Sequence, residues 1–145
     1  MGIYGIGVDL VKTVRVHQTY RVYGDRFLKR FLHPKEIDHF KKLCGTENQA
    51  QFLASRWAVK EATLKAFKSW RIIFPEVLIV KEPLALPDHI LNNRALPPRK
   101  EANVVPRLAF DGATLALSKA IGIQHTHVSL SHDGEYTIAK VLLED

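Results

Sequence analysis

Two acidic residues carry the chemistry this chain is best equipped to perform. Asp9 closes the run Gly5-Ile6-Gly7-Val8-Asp9, and Glu61 lies in Trp57-Ala58-Val59-Lys60-Glu61-Ala62. A carboxylate directed toward apolar surroundings is costly unless a cation or a hydrogen-bond donor meets it. Two carboxylates from separate elements suit Mg²⁺, which keeps part of its water shell and takes further oxygen ligands from a phosphate substrate. Lys60 and Lys65 flank Glu61 and would offset the charge that builds on a phosphate as a P–O bond breaks. An ion pair between Glu61 and Lys65, one turn apart, explains the same residues without a metal, and the sequence leaves both accounts open. For Asp9 the plainer account is an exposed acid at a strand end.

Other chemistries lack their residues. Gly5-Ile6-Gly7 has neither the third glycine nor the helix start of a dinucleotide fingerprint, and no Walker-type loop or G-x-S-x-G is present. The single Cys44 excludes an internal disulfide and a multi-cysteine metal site. The seven His include no i, i+4 pair; His125 and His127 alternate along one segment and read as hydrogen-bonding edge residues.

The two acids need a strand and a helix to hold them. Ile3–Leu10 alternates, predicting a strand with Tyr4, Ile6, Val8 and Leu10 on the core face and Gly5, Gly7 and Asp9 on a nearly bare one. Bare glycines within a strand mark close approach by a ligand or another backbone. Thr46–Lys68 predicts a long helix. Thr46 and Gln49 form a capping-box start, and Ala50, Ala54, Ala58, Ala62 and Ala66 recur every four residues. Leu53, Trp57 and Leu64 mark its apolar stripe, and Glu61 is expected where that stripe borders a cleft.

Around these elements the pattern predicts helices at 11–23, 26–32 (capped by Asp25) and 34–43, and a short strand at 76–81. An irregular, proline-rich insertion follows at about 83–106 with a short helix near 88–93. A strand at 107–110, a helix capped by Asp111, and a hairpin at 125–143 turning through Asp133-Gly134 complete the chain. The fold class is α+β: one domain over 1–145, with a small, mostly antiparallel sheet packed against one long central helix and shorter helices.

With 145 residues, 46% hydrophobic and 25% charged, the chain can bury a core without staples. Its charge is uneven. Residues 12–42 hold nine Lys/Arg against three Asp/Glu, and the remainder holds twelve of each. A basic segment points to an anionic macromolecular partner, an acidic protein or nucleic acid. A non-enzymatic nucleic-acid module is the alternative function: Tyr20, Tyr23, Phe27 and Phe31 interleave with these charges, but at helix-core spacing, and Asp9 and Glu61 stay unexplained. No run reaches the ~18 apolar residues of a membrane span. No signal or transit peptide is expected in the first residues, so the chain reads as not secreted.

Four segments, in order, resemble the single-domain holo-acyl-carrier-protein synthases, a class of 4′-phosphopantetheinyl transferases. They are G-I-G-V-D-L at 5–10 followed by Arg15, R-F-L-K-R-F-L at 26–32 followed by Glu36, F-L-A-S-R-W-A-V-K-E-A-T-L-K-A-F at 52–67, and V-S-L-S-H at 128–132. The resemblance implies transfer of the phosphopantetheine arm of coenzyme A to a serine of an acidic acyl carrier protein in fatty acid biosynthesis, releasing adenosine 3′,5′-bisphosphate. It implies Asp9 and Glu61 as ligands of Mg²⁺, or Mn²⁺ in its place, and Lys65 as an aid to the leaving group. It implies Arg56, Lys60, Lys65 and His132 as coenzyme A contacts, and Arg15, Arg26 and Arg30 as the carrier-docking residues. The general base stays open between a metal-bound water and one of the two carboxylates. An inactive homologue that only binds a carrier is a further alternative. A homotrimer with active sites between subunits is expected, with no membrane or nucleic-acid partner. The turn at Lys68–Pro75 and the insertion at 83–106 depart from the bacterial pattern and point to a fungal or mitochondrial-type member, in the mitochondrial matrix or cytoplasm.

Overall fold

A helix reaches backbone contact with a strand only where neither surface carries side-chain bulk, and that condition organises this protein. The computed structural model describes residues 2–83, 88–92, 95 and 104–145. Its elements run β1 (Ile3–Lys12), α1 (Thr13–Tyr23), α2 (Asp25–Phe31), α3 (Pro34–Lys41), α4 (Thr46–Ala66), a 3-10 turn (Phe74–Glu76), β2 (Val77–Pro83), α5 (Asp88–Leu91), β3 (Val104–Phe110), α6 (Gly112–Ala120), β4 (His125–Asp133) and β5 (Tyr136–Glu144). The expected α+β class holds. β1, β5 and β4 form one antiparallel sheet in that order, and β2 and β3 form a second antiparallel pair. Much of the stretch 83–106 lies outside the described residues; β2 ends at its start, α5 stands within it and β3 begins before it closes.

α4 lies on the three-stranded sheet, and the alanine repeat is the reason. Ala50, Ala54, Ala58, Ala62 and Ala66 are all buried, a smooth ridge along one side of the helix. Facing it are Gly5 and Gly7 of β1. A Cβ placed on Gly7 would stand 1.8 Å from the Ala62 carbonyl oxygen, and one on Gly5 would stand 1.9 Å from that of Ala66. The two backbones are in contact.

This reverses the faces expected for β1. Gly5, Gly7, Asp9 and Val11 pair with Leu143, Val141, Ala139 and Thr137, whose buried side chains face α4. Ile6, Val8 and Leu10 point to the opposite side and are 54%, 49% and 61% exposed. Alternation assigned two faces correctly but could not say which one meets the helix. The bulkier set was taken as core, whereas close helix approach selected the glycines.

Helix starts differ in a similar way. The Thr46–Gln49 capping box does not form: Gly45 is the N-cap of α4, and the Gln49 side chain lies 3.3 Å from His17 Nε2. Asp25 does not cap α2 but pairs with Lys41; Asp111 does stand at the N-cap of α6, as expected, though its carboxylate makes no cap hydrogen bond there and accepts from His33 instead. A capping box does open α3. The His33 ring accepts from Lys35 N at 3.1 Å, and the Glu36 carboxylate accepts from His33 N at 3.0 Å.

Gly7→Ala is expected to cost about 3 kcal/mol of unfolding free energy in urea titrations, because backbone rather than a movable side chain blocks the added methyl. Gly24→Ala should cost only about 1–2 kcal/mol, since φ is +62° there but nothing lies near.

Candidate active site

The contact between β1 and α4 puts Asp9 beside Glu61. Asp9 follows Gly7 on the helix-facing side of β1, in register with Ala139. Glu61 precedes Ala62, the residue whose carbonyl Gly7 touches. The Lys65 ammonium donates to the Val8 carbonyl at 2.8 Å and lies 3.3 Å from Asp9 Oδ1. Lys65 therefore bridges to Asp9, and no ion pair joins it to Glu61 among the described residues. The purely structural Glu61–Lys65 pair is not what this helix forms.

Glu61 is half-buried. Its carboxyl is raised above the usual carboxylate range, first by burial and then by the neighbouring Asp9 charge, with Lys65 opposing. Two carboxylates close enough to repel, with Glu61 accepting no hydrogen bond from a described residue, make a hard oxygen donor set. No third His, Cys, Asp or Glu joins them in a metal cluster among the described residues. That fits Mg²⁺, which leaves positions to water and phosphate, better than a metal that needs an all-protein cage.

Asp9 and Glu61 line a cleft of about 330 Å³ whose wall includes Arg15, Thr19, Phe27 and Trp57. Thr19, Phe27 and Trp57 also wall a second hollow of about 520 Å³, together with Arg26, Arg30 and Phe74. The structure thus brings Arg15 to the acids and places Arg26 and Arg30 next door. The dividing wall is aromatic: Trp57 meets Phe31 at 5.3 Å and Phe74 at 6.0 Å between ring centroids, both edge-on. Tyr20, Phe27 and Phe31 likewise pack against other rings instead of offering free stacking faces, which weakens the case for a nucleic-acid module, while Tyr23 stays exposed. Trp57 was expected on the apolar stripe that anchors α4, and it also walls both hollows; Phe74 and Thr19 carried no signal in the sequence.

Three expected coenzyme A contacts fare differently. Lys60 is a correction. Its ammonium is fully buried and donates to Glu36 Oε1 at 2.7 Å, Phe74 O at 3.0 Å and Val77 O at 2.5 Å, which uses all three of its protons. Five residues turn a helix by roughly 140°, which carries Lys60 into the interior, and with all three protons engaged there it has none left for a phosphate. Burial holds the Lys60 ammonium down to about 8, opposed by Glu36. Arg56 is mostly buried, with its guanidinium carbon 4.1 Å from the Phe52 ring centre and Nε 3.5 Å from Glu36 Oε2. His132 is exposed on β4, the far edge strand, and does not line the cleft that holds Asp9 and Glu61. Glu36 was read only as an acid trailing a motif; beyond His33 in its own capping box, its partners Arg56 and Lys60 both come from α4, and nothing in local spacing reveals them.

The Asp9–Glu61 coupling has a sign. The folded protein holds the Glu61 proton more tightly than the unfolded chain does. This favours the folded state below the unfolded pKa, and the contribution is lost as pH rises through the folded value. In carboxyl-carbon NMR titrations of metal-free protein, Asp9→Asn should lower the Glu61 pKa and Lys65→Met should raise it. Equal pKa values in all three proteins would contradict the geometry.

Comparison with known proteins gives the family. The model for the 4′-phosphopantetheinyl transferase superfamily matches residues 5–93, which include Asp9, Glu61 and Lys65. A holo-[acyl-carrier-protein] synthase from Nitratidesulfovibrio vulgaris strain DP4 is 32% identical over 142 residues, 98% of each chain, so length does not separate this protein from bacterial relatives. The crystal structure of the Neisseria meningitidis holo-[acyl-carrier-protein] synthase superposes with a TM-score of 0.77 at 25% identity, covering 99% of both chains. That of the Helicobacter pylori enzyme, solved in complex with coenzyme A, gives 0.69 at 25% identity over 96% of this chain and 99% of the other. With its fold, its end-to-end relatives and its acid-bearing strand and helix all in agreement, the protein belongs to the 4′-phosphopantetheinyl transferase superfamily.

Proposed function

We propose that the protein transfers the 4′-phosphopantetheine group of coenzyme A to a serine of an apo acyl carrier protein, leaving adenosine 3′,5′-bisphosphate. The observation that carries this reading is the meeting of Asp9, Glu61 and Lys65 at the β1–α4 seam, inside the segment that matches the family. Asp9 and Glu61 would hold Mg²⁺, which supplies charge to the pyrophosphate as its P–O bond breaks. Lys65, half-exposed and fixed by the Val8 carbonyl, offers a second positive charge to the departing phosphate. Arg56 and His132 contact coenzyme A in this reading. Arg15, Arg26 and Arg30 receive the acidic carrier, and their position along the two adjoining hollows would bring its serine toward the acids. We assign the product to fatty acid biosynthesis, in the cytoplasm or the mitochondrial matrix according to where the carrier resides.

A homotrimer belongs to the same proposal. Its support is the outer face of the three-stranded sheet, where Ile6, Val8, Leu10, Tyr136 and Ile138 are 54%, 49%, 61%, 47% and 38% exposed. A monomer seldom leaves so broad an apolar face in water. His132, remote from its own chain's acids, would then be free to serve a neighbouring subunit.

Incubated with coenzyme A, Mg²⁺ and apo carrier, the protein should add the phosphopantetheine mass to the carrier; no gain with several carriers would end the reading. Glu61→Gln should cut the rate by about a hundredfold or more, by analogy with loss of one stabilising group at a reacting centre. Arg15→Glu and Arg26→Glu should raise KM for the carrier about tenfold with little change in KM for coenzyme A. Val8→Asp should shift the mass measured by light scattering from trimer toward monomer, and an unchanged mass would argue against this face.

A further inference from the structure

The buried charges around α4 do not balance. Glu36, 4% exposed, faces two cations, Lys60 and Arg56, so the cluster carries one surplus positive charge. The Lys60 charge is fully engaged, with three protons on three acceptors. The surplus therefore resides on Arg56. Its Nε and the facing Glu36 Oε2 are both shut off from solvent and make no hydrogen bond. They stand 3.5 Å apart, close enough for charge attraction but not for a good bond. Phe52 holds the guanidinium on one face, 4.1 Å from its ring centre. Only 14% of the Arg56 side chain reaches solvent, and burial pulls the guanidinium below its usual pKa against the pull of Glu36.

An arginine held at Nε by a buried carboxylate and at its face by a ring has its remaining donor fork pre-set. Such a fork matches a phosphate bidentately, and the negative charge of a phosphate would offset the surplus. Glu36 itself is fixed independently of Arg56, because its other oxygen caps α3 through His33 N and receives Lys60. The carboxylate is thus anchored by the start of α3 and by Lys60 of α4 before it meets the arginine.

We propose that Glu36 is the positioning residue for phosphate recognition, holding Arg56 so that its free donors meet a phosphate of coenzyme A. This rests on the reading that Arg56 contacts coenzyme A, and it adds a role for an acid that never touches the substrate.

The test is calorimetric binding of coenzyme A to the full-length protein and to Arg56→Ala, Glu36→Gln and the variant combining both. Arg56→Ala should weaken Kd by about tenfold or more. Glu36→Gln, which keeps the α3 cap acceptor, should weaken it by a similar factor. The combined variant should bind no worse than Arg56→Ala alone, because Glu36 acts only through that arginine. Where Glu36→Gln does not fold, Glu36→Gln with Lys60→Met removes both members of the buried pair and should show the same loss. A folded Glu36 variant that binds as tightly as the wild type overturns the proposal, as do losses that multiply in the combined variant. An unchanged Kd for Arg56→Ala overturns the underlying reading of Arg56, and wild-type protein that binds no coenzyme A overturns the transferase reading itself.

Discussion

The backbone contact between β1 and α4 is the constraint on which the rest depends. Side chains at positions 5 and 7 would hold the helix away from the sheet by the width of at least a methyl group. With glycine there, Ala62 and Ala66 seat directly on the strand, and the first residue beyond the glycines that can carry a functional group is Asp9. The distance from Asp9 to α4 is thus set by peptide atoms, the stiffest part of both elements. Lys65 completes the seam by donating to the Val8 carbonyl, so a charged side chain also ties the two backbones. A site held in this way needs few supporting bonds of its own, because the elements that carry it cannot slide without a clash.

Close approach has an electrostatic consequence. Burial first, and then the neighbouring Asp9 charge, oppose the ionisation of Glu61. The fold holds together a pair of acids that would otherwise separate, a tension that a divalent cation would relieve. The opposite arrangement exists on the other side of the same helix. There one acid, Glu36, serves two cations and the excess is positive. α4 therefore separates a negative site from a positive one across its own diameter, a polarity suited to a substrate that carries both phosphate and bound metal.

The three-stranded sheet divides its labour by face. One face is occupied by α4 and contributes Asp9. The other is apolar and open, with Lys140 among its exposed residues. The basic segment is distributed in the same purposeful way. Lys41 is drawn into a pair with Asp25, while Arg15, Arg26 and Arg30 line the two hollows that share Phe27 and Trp57. Three of the nine basic residues in 12–42 thus stand along the two hollows beside the acids, where an acidic partner would be steered.

Much of this was legible in the chain. Periodicity gave the long helix to within two residues at its end, the hairpin from Asp133-Gly134, and the α+β class, because these depend on local pattern and local turn chemistry. The pairing of Asp9 with Glu61 was legible as chemistry, since two acids in apolar settings need a shared reason. Orientation was not. Strand alternation is symmetric between faces, and only the packing of α4 chose Gly5 and Gly7 over Ile6 and Val8. Lys60 and Lys65 look equivalent in sequence, yet about 140° of helical rotation sends one into the interior and the other to the cleft. Glu36 shows the limit most clearly: it meets Arg56 and Lys60 twenty and twenty-four positions away, and Lys60 in turn reaches carbonyls of Phe74 and Val77. Sequence by itself determined which residues could do chemistry, because residue type fixes charge, donors and acceptors. Tertiary structure alone decided which of them meet, because that depends on how closely two backbones approach.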